Sequence, residues 1–284
     1  MILVFGKNGQ VGYELSKIPG THCLGRNEAN LEEPEICAEK IQELKPSAVI
    51  NAAAYTAVDK AEGERDLAFQ VNAVAPGVIA RTCADLSLPL VHISTDYVFP
   101  GDGSNPHCVN DVTGPRNVYG ESKLAGEIAV RAAGGCHAIL RTSWVFSAHG
   151  SNFVKTMLKL SETRETLNIV SDQVGGPTAA RDISSTTVEL ASQLLDDGSK
   201  SGTYHYCGFP YVSRSAFADY IFRYAGVTKN IKSITTKEVA LIAERPMNSR
   251  LDCAKTKQIF GLSYCDWRVT LKRILENWKS SNAS

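Results

Sequence analysis

The chain has 284 residues, of which 43% are hydrophobic and 21% are charged, and its formal net charge at pH 7 is zero. These values are ordinary for a globular protein, and the neutral balance gives no electrostatic reason to expect nucleic acid or an acidic membrane as a partner. No segment approaches the roughly 20 apolar residues that cross a bilayer, and the short apolar start lacks the features of a signal peptide.

The first candidate motif is a glycine-rich loop behind an apolar strand. An unbroken apolar run at 1–5 predicts a strand buried on both faces. The loop GKNGQVG follows and leads into a predicted helix over 13–17. Gly6 would allow a tight turn, Gly9 would let backbone amides approach a pyrophosphate, and Gly12 would let helix and strand pack closely. A plain turn would also explain the glycines, but the position after a buried strand favours a dinucleotide site.

The next strand, predicted over 21–25, is followed by Arg26. In folds selective for NAD, an acidic residue near this strand end accepts the ribose 2′-hydroxyl. A guanidinium suits a 2′-phosphate instead, so Arg26 favours NADP(H). The alternative is that Arg26 is a solvated surface residue, and the nearby Glu28, Glu32 and Glu33 leave NADH open as the cofactor.

Two further buried strands end in residues that suit a ligand site. The strand predicted over 46–51 runs into small residues at 52–54, which would let a cofactor approach closely, although tight packing would also select them. A long helix is predicted over 66–86. The strand predicted over 89–94 ends at Thr95, whose hydroxyl could meet a substrate carbonyl; a cap or loop role is the alternative.

Tyr119 and Lys123 lie four residues apart in the stretch VYGESKLAGE. On a helix, both side chains would share one face. A neighbouring ammonium favours phenolate and lowers the pKa of a tyrosine, which suits general acid–base chemistry. Such a pair also occurs by chance on solvated helices, so its meaning depends on the glycine loop and the strand-end hydroxyl that precede it.

The second half of the chain has shorter alternating elements. Helices are predicted over 151–160, 182–195 and 214–225, the last capped by Ser213, and strands over 167–170 and 202–207. Arg245 and Arg250 bracket a short loop, where two guanidinium groups could hold a diphosphate through paired hydrogen bonds. Structural salt bridges are the alternative for both arginines.

The order of these features is more specific than any one of them. A strand, a glycine loop, alternating strands and helices, a strand-end Ser-Thr and a Tyr-xxx-Lys pair together resemble the extended short-chain dehydrogenase/reductase superfamily. Within it, nearly the whole chain resembles the dTDP-4-dehydrorhamnose reductase family. The resemblance lies in six segments: Gly6–Gly12, Asn51–Glu62, Ser94–Phe99, Val118–Gly120, Arg141–Val145 and Arg245–Leu251.

The resemblance implies hydride transfer from NADPH, or NADH, to the 4-keto group of dTDP-4-dehydro-β-L-rhamnose, giving dTDP-L-rhamnose. Carried over to this chain, Tyr119 would protonate the oxygen as hydride reaches carbon 4. Lys123 would hold the nicotinamide ribose and lower the tyrosine pKa, and Thr95 would polarise the carbonyl. Asp96 and Trp144 would lie around the sugar. Positioned donors of this kind contribute on the order of 10²–10⁴-fold each.

The resemblance also implies the architecture. We expect an α/β fold in which a Rossmann doubly wound parallel sheet carries a smaller, interleaved α/β substrate domain. The dinucleotide-binding domain would span 1–145, with a later stretch at about 167–200 returning to it. Most of 146–284 would form the nucleotide-sugar domain.

The candidate site residues fall into three groups. The candidate catalytic residues are Tyr119, Lys123 and Thr95. The candidate cofactor-binding residues are Gly6, Asn8, Gly9, Gln10, Val11, Gly12, Arg26, Asn30, Leu31, Ala52, Ala53, Ala54, Tyr55, Asn72, Tyr119 and Lys123. The candidate substrate-binding residues are Thr56, Val58, Thr95, Asp96, Tyr97, Tyr119, Trp144, Arg245 and Arg250.

Two other functions remain compatible with these motifs. A nucleotide-sugar epimerase or dehydratase of the same superfamily would use the same Tyr and Lys but regenerate its cofactor in place. Asp96 stands where a dehydratase carries an added acid, although the surrounding STDYVF is itself the reductase pattern. A noncatalytic NADP-binding regulatory subunit need not keep Tyr119, Lys123 and Thr95 together.

The sequence gives no support for a metal centre. The eight cysteines include no CxxC pair and the six histidines show no ligand spacing, which predicts free thiols in a reducing cytoplasm. Some members of the family bind magnesium through glutamates at a dimer contact, and Glu14 could be one such ligand, so magnesium and a homodimer stay open. Asn30 stands where many members carry Asp, which would change the contacts to adenosine.

Overall fold

The computed structural model describes residues 1–282, and the side chains up to Trp278. The strands of this range are β1 (Ile2–Phe5), β2 (Thr21–Leu24), β3 (Ala48–Asn51), β4 (Leu90–Thr95), β5 (His137–Thr142), β6 (Val145–Phe146), β7 (Thr166–Val170), β8 (Val174–Gly175), β9 (Thr178–Ala179), β10 (Gly202–His205), β11 (Val212–Ser213), β12 (Asn230–Ile234) and β13 (Asn248–Ser249). The helices are α1 (Gln10–Leu15), α2 (Pro34–Leu44), α3 (Val58–Ala61), α4 (Arg65–Phe69), α5 (Ala75–Asp85), α6 (Val118–Ala132), α7 (Phe153–Thr163), α8 (Ala180–Asp196), α9 (Arg214–Ala225), α10 (Ala254–Phe260) and α11 (Trp267–Asn282).

Six parallel strands form the large sheet, in the order β10–β5–β4–β3–β1–β2. Its strands are apolar on both faces because helices cover both faces; Leu3, Val4 and Phe5 of β1 are fully buried. Helices α1 and α8 pack on one face, and α2, α5 and α6 pack on the other. The predicted doubly wound α/β fold is therefore confirmed.

The strand order reverses beside β1, which has β2 on one side and β3 on the other. In open α/β sheets, ligands bind beyond the carboxyl ends of the strands at such a reversal. The loops after β1 and β3 meet there so closely that a Cβ on Gly6 would lie 2.7 Å from the backbone nitrogen of Ala53. The fold thus brings the glycine loop and the small residues after β3 side by side.

A second apolar core lies outside the large sheet. It is built from α7, α9 and α11 together with the two-stranded sheets β6–β9 and β7–β12. The sequence predicts that about 167–200 returns to the large sheet. In the structure the returning stretch is 180–205, because α8 packs on the sheet and β10 pairs with β5, whereas β7 pairs with β12. Helix α10 also packs beside β10, so the chain crosses between the two cores more than once.

The long helix predicted over 66–86 is interrupted. It consists of α4, a π-helical turn at Gln70–Val74 and α5. Pro76 has no N–H to donate to the carbonyl oxygen of Asn72, four residues earlier. Helix α6 packs against that oxygen so tightly that a Cβ on Gly126 would lie 2.0 Å from it. Such π turns are frequent at functional sites.

Several local predictions are confirmed with small shifts at their ends. Tyr119 and Lys123 lie on α6, whose first turn is capped by the Asn117 side chain, which accepts a hydrogen bond from the Gly120 N–H at 2.8 Å. Ser213 caps α9 in the same way. None of the helices within 1–282 combines the length and the apolar character that crossing a bilayer requires.

Candidate active site

A cavity of about 840 Å³ opens at the carboxyl edge of the large sheet, within the usual size range of about 300–1,000 Å³ for ligand sites. The loops after β1 and β3, the end of β4, the start of α6 and the segment after β5 form its wall. Most predicted site residues line it: Gly6, Asn8, Gly9, Gln10, Val11, Arg26, Asn30, Leu31, Ala52, Ala53, Ala54, Tyr55, Thr56, Val58, Thr95, Asp96, Tyr97, Tyr119, Lys123 and Trp144.

The glycine loop forms the part of the cavity nearest β1. Gly6 has a φ of 102°, a conformation that favours glycine, and its carbonyl oxygen accepts a hydrogen bond from the Gly9 N–H at 3.0 Å. A Cβ on Gly12 would lie 2.0 Å from the same oxygen. Gly12 therefore stands behind the loop and makes close packing between α1 and the loop sterically feasible, while Gly6 and Gly9 face the cavity.

Lys123 and Tyr119 extend from the first two turns of α6 into the cavity. Lys123 is only 2% exposed, and its Nζ donates a hydrogen bond to the carbonyl oxygen of Ile93 at 2.8 Å. The ring of Tyr119 meets the ring of Tyr97 edge to face, with centroids 5.3 Å apart. The helix thus holds an ammonium and a phenol together against the end of β4.

Thr95 is the last residue of β4 and faces the same part of the cavity. Its Oγ1 accepts a hydrogen bond from the Tyr97 N–H at 3.3 Å and donates one to Asp96 Oδ1 at 3.1 Å. The other carboxylate oxygen of Asp96 is buried and has no hydrogen-bond partner among the residues that the structure describes. Burial raises the pKa of Asp96 to about 6, so this carboxyl group offers an acceptor to a ligand at neutral pH.

Burial also governs the two groups on α6. It raises the pKa of Tyr119 above the ordinary value, and the Thr95 hydroxyl opposes this only in part. Desolvation is the largest cause and outweighs the opposing influences, so the net pKa of Tyr119 is raised, and the lowering by Lys123 that the resemblance implies stays a prediction. Burial lowers the pKa of Lys123 to about 8, against the attraction of Glu127. Tyr119 consequently keeps its proton at neutral pH.

Behind this wall lies a buried ion pair that ties α6 to the sheet. Glu127 is fully buried and accepts hydrogen bonds from Arg141 Nε at 2.8 Å and Nη2 at 2.7 Å. It also accepts one from Ser94 Oγ at 2.6 Å. Such doubly hydrogen-bonded pairs fix geometry strongly, so they hold α6 in register with β4 and β5.

At the opposite end of the site, Arg26 has features of both alternatives left open by the sequence, a contact to the cofactor 2′-phosphate and a solvated surface residue. It lines the cavity, yet its side chain is 69% exposed and pairs with Glu32. Its backbone N–H donates to Asn8 Oδ1 at 3.3 Å, and Glu28 accepts from the Gly25 N–H at 2.9 Å. A cationic side chain held at the rim is positioned to reach a ribose phosphate.

Four of the predicted site residues do not line the cavity. Besides Gly12, Asn72 holds Tyr55 from behind, through hydrogen bonds of 2.8 and 3.0 Å to its backbone N–H and C=O. Arg245 pairs with Asp59 at 2.7 Å, and Arg250 donates to Asn248 Oδ1 at 2.9 Å. The Arg245–Asp59 contact is a salt bridge, as the structural alternative expects, whereas Arg250 contacts a neutral amide. The role of both arginines on a diphosphate stays a prediction.

The structure adds cavity-lining residues that the sequence did not indicate. The most conspicuous is Arg214, whose guanidinium lies over the Trp144 ring at 3.6 Å from its centroid and near the Phe153 ring at 5.1 Å. Val71, Ser143, Gly150 and Ser151 also line the cavity. Arg214 follows a helix-capping serine, and nothing in its local sequence marks it as part of a site.

The described residues of this single chain assemble no magnesium site. Glu14 instead pairs with Lys17 at 3.2 Å and lies 3.3 Å from His149 Nε2. Within 1–278, no three of the side chains that could hold a metal ion come together. We therefore derive no chemical step through magnesium.

Comparison with known proteins agrees with this geometry. The family model that matches, over residues 1–280, is described as the RmlD substrate binding domain. A dTDP-4-dehydrorhamnose reductase of Sinorhizobium fredii is 41% identical over 96% of this chain and 96% of its own length. One of Escherichia coli is 38% identical over 99% of each chain.

Solved structures give the same picture. A dTDP-4-dehydrorhamnose reductase from Clostridium acetobutylicum superposes with a TM-score of 0.91 at 34% identity, covering 98% of this chain and 99% of the other. One from Bacillus anthracis, solved in complex with NADP, gives 0.89 at 34% identity, over 97% and 98%. On these grounds, the chain belongs to the dTDP-4-dehydrorhamnose reductase family.

Proposed function

We propose that this protein reduces the 4-keto group of dTDP-4-dehydro-β-L-rhamnose with NADPH, giving dTDP-L-rhamnose and NADP⁺. The observation that carries the proposal is the presence of Thr95, Tyr119 and Lys123 in the same cavity as the glycine loop. The relatives named dTDP-4-dehydrorhamnose reductase support the substrate, and the relative solved with NADP supports the cofactor. The cytoplasmic location and a homodimer remain predictions from the sequence.

The residues near β1 suit a dinucleotide. Gly6 and Gly9 have no side chains that would cover the neighbouring backbone N–H groups, so these groups would bind the pyrophosphate. Ala52 and Ala53 leave room for the rest of the cofactor at the end of β3. When bound, a reduced nicotinamide supplies the hydride. Lys123, fixed by the Ile93 carbonyl, would hold the nicotinamide ribose beside Tyr119.

The proton comes from Tyr119. As the hydride reaches carbon 4, the electron pair of the C=O bond moves to oxygen, which takes the phenolic proton. A phenol whose pKa is raised by burial is protonated at neutral pH and is ready to donate. Lys123 lies one turn further along α6, so its positive charge offsets the phenolate that forms.

Thr95 would stabilise the same oxygen. Its hydroxyl has one proton, which Asp96 accepts in the present arrangement. When the substrate carbonyl lies against Thr95, the hydroxyl turns toward it and the Tyr97 N–H still holds Oγ1 from behind. Two donors aimed at one developing charge are the usual arrangement for stabilising an oxyanion.

The test is direct turnover. Purified protein, NADPH and dTDP-4-dehydro-β-L-rhamnose are mixed, and the loss of reduced-cofactor absorbance is followed. Tyr119→Phe should lose roughly 10²–10⁴-fold in kcat, because the proton donor is removed, while NADPH binding stays largely intact, because the ring remains in place. An absence of NADPH consumption by the wild type would overturn the proposed function. An epimerase or dehydratase would convert substrate without net cofactor oxidation.

A further inference from the structure

Arg214 is a cation inside the cavity to which the proposed mechanism gives no role. It is the first residue of α9, and its backbone N–H donates to the Gln173 carbonyl oxygen at 3.2 Å. Its half-buried side chain enters the cavity from the second core, and its guanidinium carbon lies over the Trp144 ring, 3.6 Å from the ring centroid. A long cationic side chain loses rotamer freedom when it is held in this way, so the ordered position of Arg214 costs conformational entropy.

Trp144, whose ring lies beneath the Arg214 guanidinium, has an unusual backbone conformation and close packing. Trp144 has a φ of 48°, a backbone conformation that is an outlier for a bulky residue. The indole packs against Gly175, where a Cβ would lie 2.8 Å from Cε2. Strained backbone of this kind clusters at ligand sites. Trp144 and Gly175 together form a platform that fixes the plane of the Arg214 guanidinium.

The guanidinium of Arg214 forms no direct ion pair within 1–278, and the one carboxylate that faces it, Asp96, acts on it only at longer range. Its contacts among these residues are the Trp144 and Phe153 rings, and its backbone N–H donates to the Gln173 carbonyl oxygen. The two other cations that line the cavity differ, since Arg26 pairs with Glu32 and Lys123 donates to Ile93.

The titratable groups that face Arg214 are Asp96, Tyr97 and Arg245, of which only Asp96 carries a negative charge at neutral pH. Burial lowers the pKa of Arg214 to about 10, yet the group stays charged at neutral pH. An unpaired charge that is partly removed from water is costly unless a ligand neutralises it. Asp96 offsets this cost only from a distance, so an anion that enters the cavity would supply the direct hydrogen-bond partner that the guanidinium lacks.

We propose that Arg214 binds the diphosphate of the nucleotide-sugar substrate. The inference rests on the proposed function, which supplies an anion of the right class. A guanidinium held over an indole keeps its N–H edge free, and that planar fork matches two phosphate oxygens. Arg214 shares its part of the cavity with Asp96 and Tyr97, and thus with the end of β4 where the sugar would react.

The experiment measures binding without turnover. The affinities of dTDP, thymidine and NADPH are determined by calorimetry for the wild type, Arg214→Gln and Arg214→Lys. Arg214→Gln should weaken dTDP binding by about 10- to 100-fold, because charge-assisted hydrogen bonds to phosphate are lost. Thymidine and NADPH should bind as in the wild type. Arg214→Lys should fall between the two, since it keeps the charge but loses the fork.

Arg223→Gln is the matched control. Arg223 lies on the same helix, also stacks on an aromatic ring, and is exposed and paired with Asp219. Its replacement should leave dTDP affinity unchanged. Equal dTDP affinities for the wild type and Arg214→Gln would overturn the inference. So would an equal loss of thymidine binding in Arg214→Gln, which would mean that Arg214 shapes the nucleoside pocket.

Two further measurements keep the inference separate from folding and from the proposed function. If Arg214→Gln does not fold, Arg214→Lys decides, because it keeps the charge and loses the fork: its dTDP affinity must fall while its thymidine affinity stays. Equal dTDP affinities for Arg214→Lys and the wild type, or equal binding of dTDP and thymidine by the wild type, then contradict the inference. If NADPH oxidation proceeds normally while Arg214→Gln leaves the KM for the sugar nucleotide unchanged, the inference fails and the function stands. If dTDP binding depends on Arg214 but no NADPH is oxidised, the function fails and the anion site stands.

Discussion

The Nζ atom of Lys123 donates a hydrogen bond to the carbonyl oxygen of Ile93, at 2.8 Å, and so joins α6 to β4 beneath the cavity. The two residues are 30 positions apart in the chain. Their contact holds a buried ammonium one helical turn from Tyr119. The hydrogen bond therefore fixes the position of Lys123 relative to Tyr119. Burial of the Lys123 ammonium also makes the stability of the protein depend on pH.

Lys123→Met should change how stability depends on pH. Burial lowers the pKa of Lys123 from 10.5 to about 8, so between these values the unfolded chain binds a proton that the native chain has lost. Stability contributed by this group therefore rises with pH across that window, by roughly 3 kcal/mol in total. Denaturant unfolding from pH 7 to pH 11 should show this rise in the difference between wild type and variant. If the free energies of unfolding of the wild type and the variant changed with pH in parallel, the lowered pKa of a buried Lys123 would be contradicted.

Gly9→Ala should separate cofactor binding from folding. A Cβ at Gly9 would meet only the Gly6 carbonyl oxygen, at 3.4 Å, and the backbone there has a φ of −80°. The variant should unfold at close to the wild-type temperature yet bind NADPH at least about tenfold more weakly, because the methyl group occupies the approach of the pyrophosphate. Fluorescence titration with NADPH measures this.

Gly12→Ala gives the contrast for Gly9→Ala. A Cβ there would lie 2.0 Å from the Gly6 carbonyl oxygen, so this variant should lose thermal stability itself. If Gly9→Ala bound NADPH as tightly as the wild type, the glycine loop would not be the pyrophosphate site.

Arg26 and Glu32 should have opposite effects on cofactor choice. Arg26 pairs with Glu32 at the rim of the cavity, so the carboxylate competes with a 2′-phosphate for the guanidinium. Arg26→Ala should weaken NADPH binding by about tenfold and leave NADH nearly unchanged, whereas Glu32→Gln should strengthen NADPH binding. The ratio of kcat/KM for the two cofactors is the readout. An unchanged ratio in both variants would leave Arg26 as a surface residue.

Glu127→Gln should destabilise the protein strongly, by about 3–5 kcal/mol, because it leaves Arg141 buried without its counter-charge. Arg131 also contacts Glu127, at 3.2 Å, but its side chain is 39% exposed. Arg131→Gln is therefore the control and should cost under about 1 kcal/mol. Chemical denaturation of the two variants checks the difference. Similar losses for both would mean that burial does not set the strength of this network.

The fold and the catalytic pair were accessible from the sequence because their signals are local. A buried strand followed by glycines at 6, 9 and 12 predicts the loop, and the spacing of Tyr119 and Lys123 predicts a shared helix face. The alternation of strands and helices predicts the doubly wound sheet. Each of these depends on the period of a helix or strand, which a short stretch of chain displays.

Other features depend on contacts between distant parts of the chain. Arg214 becomes part of the site only because α9 packs its first residue against Trp144, 70 positions earlier. In the π turn at Gln70–Val74, the Asn72 carbonyl oxygen lies close to Gly126 of α6, a contact that no local pattern displays. The raised pKa of Tyr119 depends on burial, which residue spacing does not reveal. The four-residue spacing predicts that Lys123 lies beside Tyr119, but it does not predict the burial that raises the pKa of Tyr119.

In the proposed reaction, hydride from the cofactor is transferred to carbon 4 of the sugar, and Tyr119 protonates the oxygen. This transfer is tested most directly with NADPH that carries deuterium at the transferable position of the nicotinamide. We expect one deuterium at carbon 4 of the product for each NADP⁺ formed, and almost no labelled product with Tyr119→Phe. Product without deuterium at carbon 4, or conversion of substrate without NADP⁺, would contradict it.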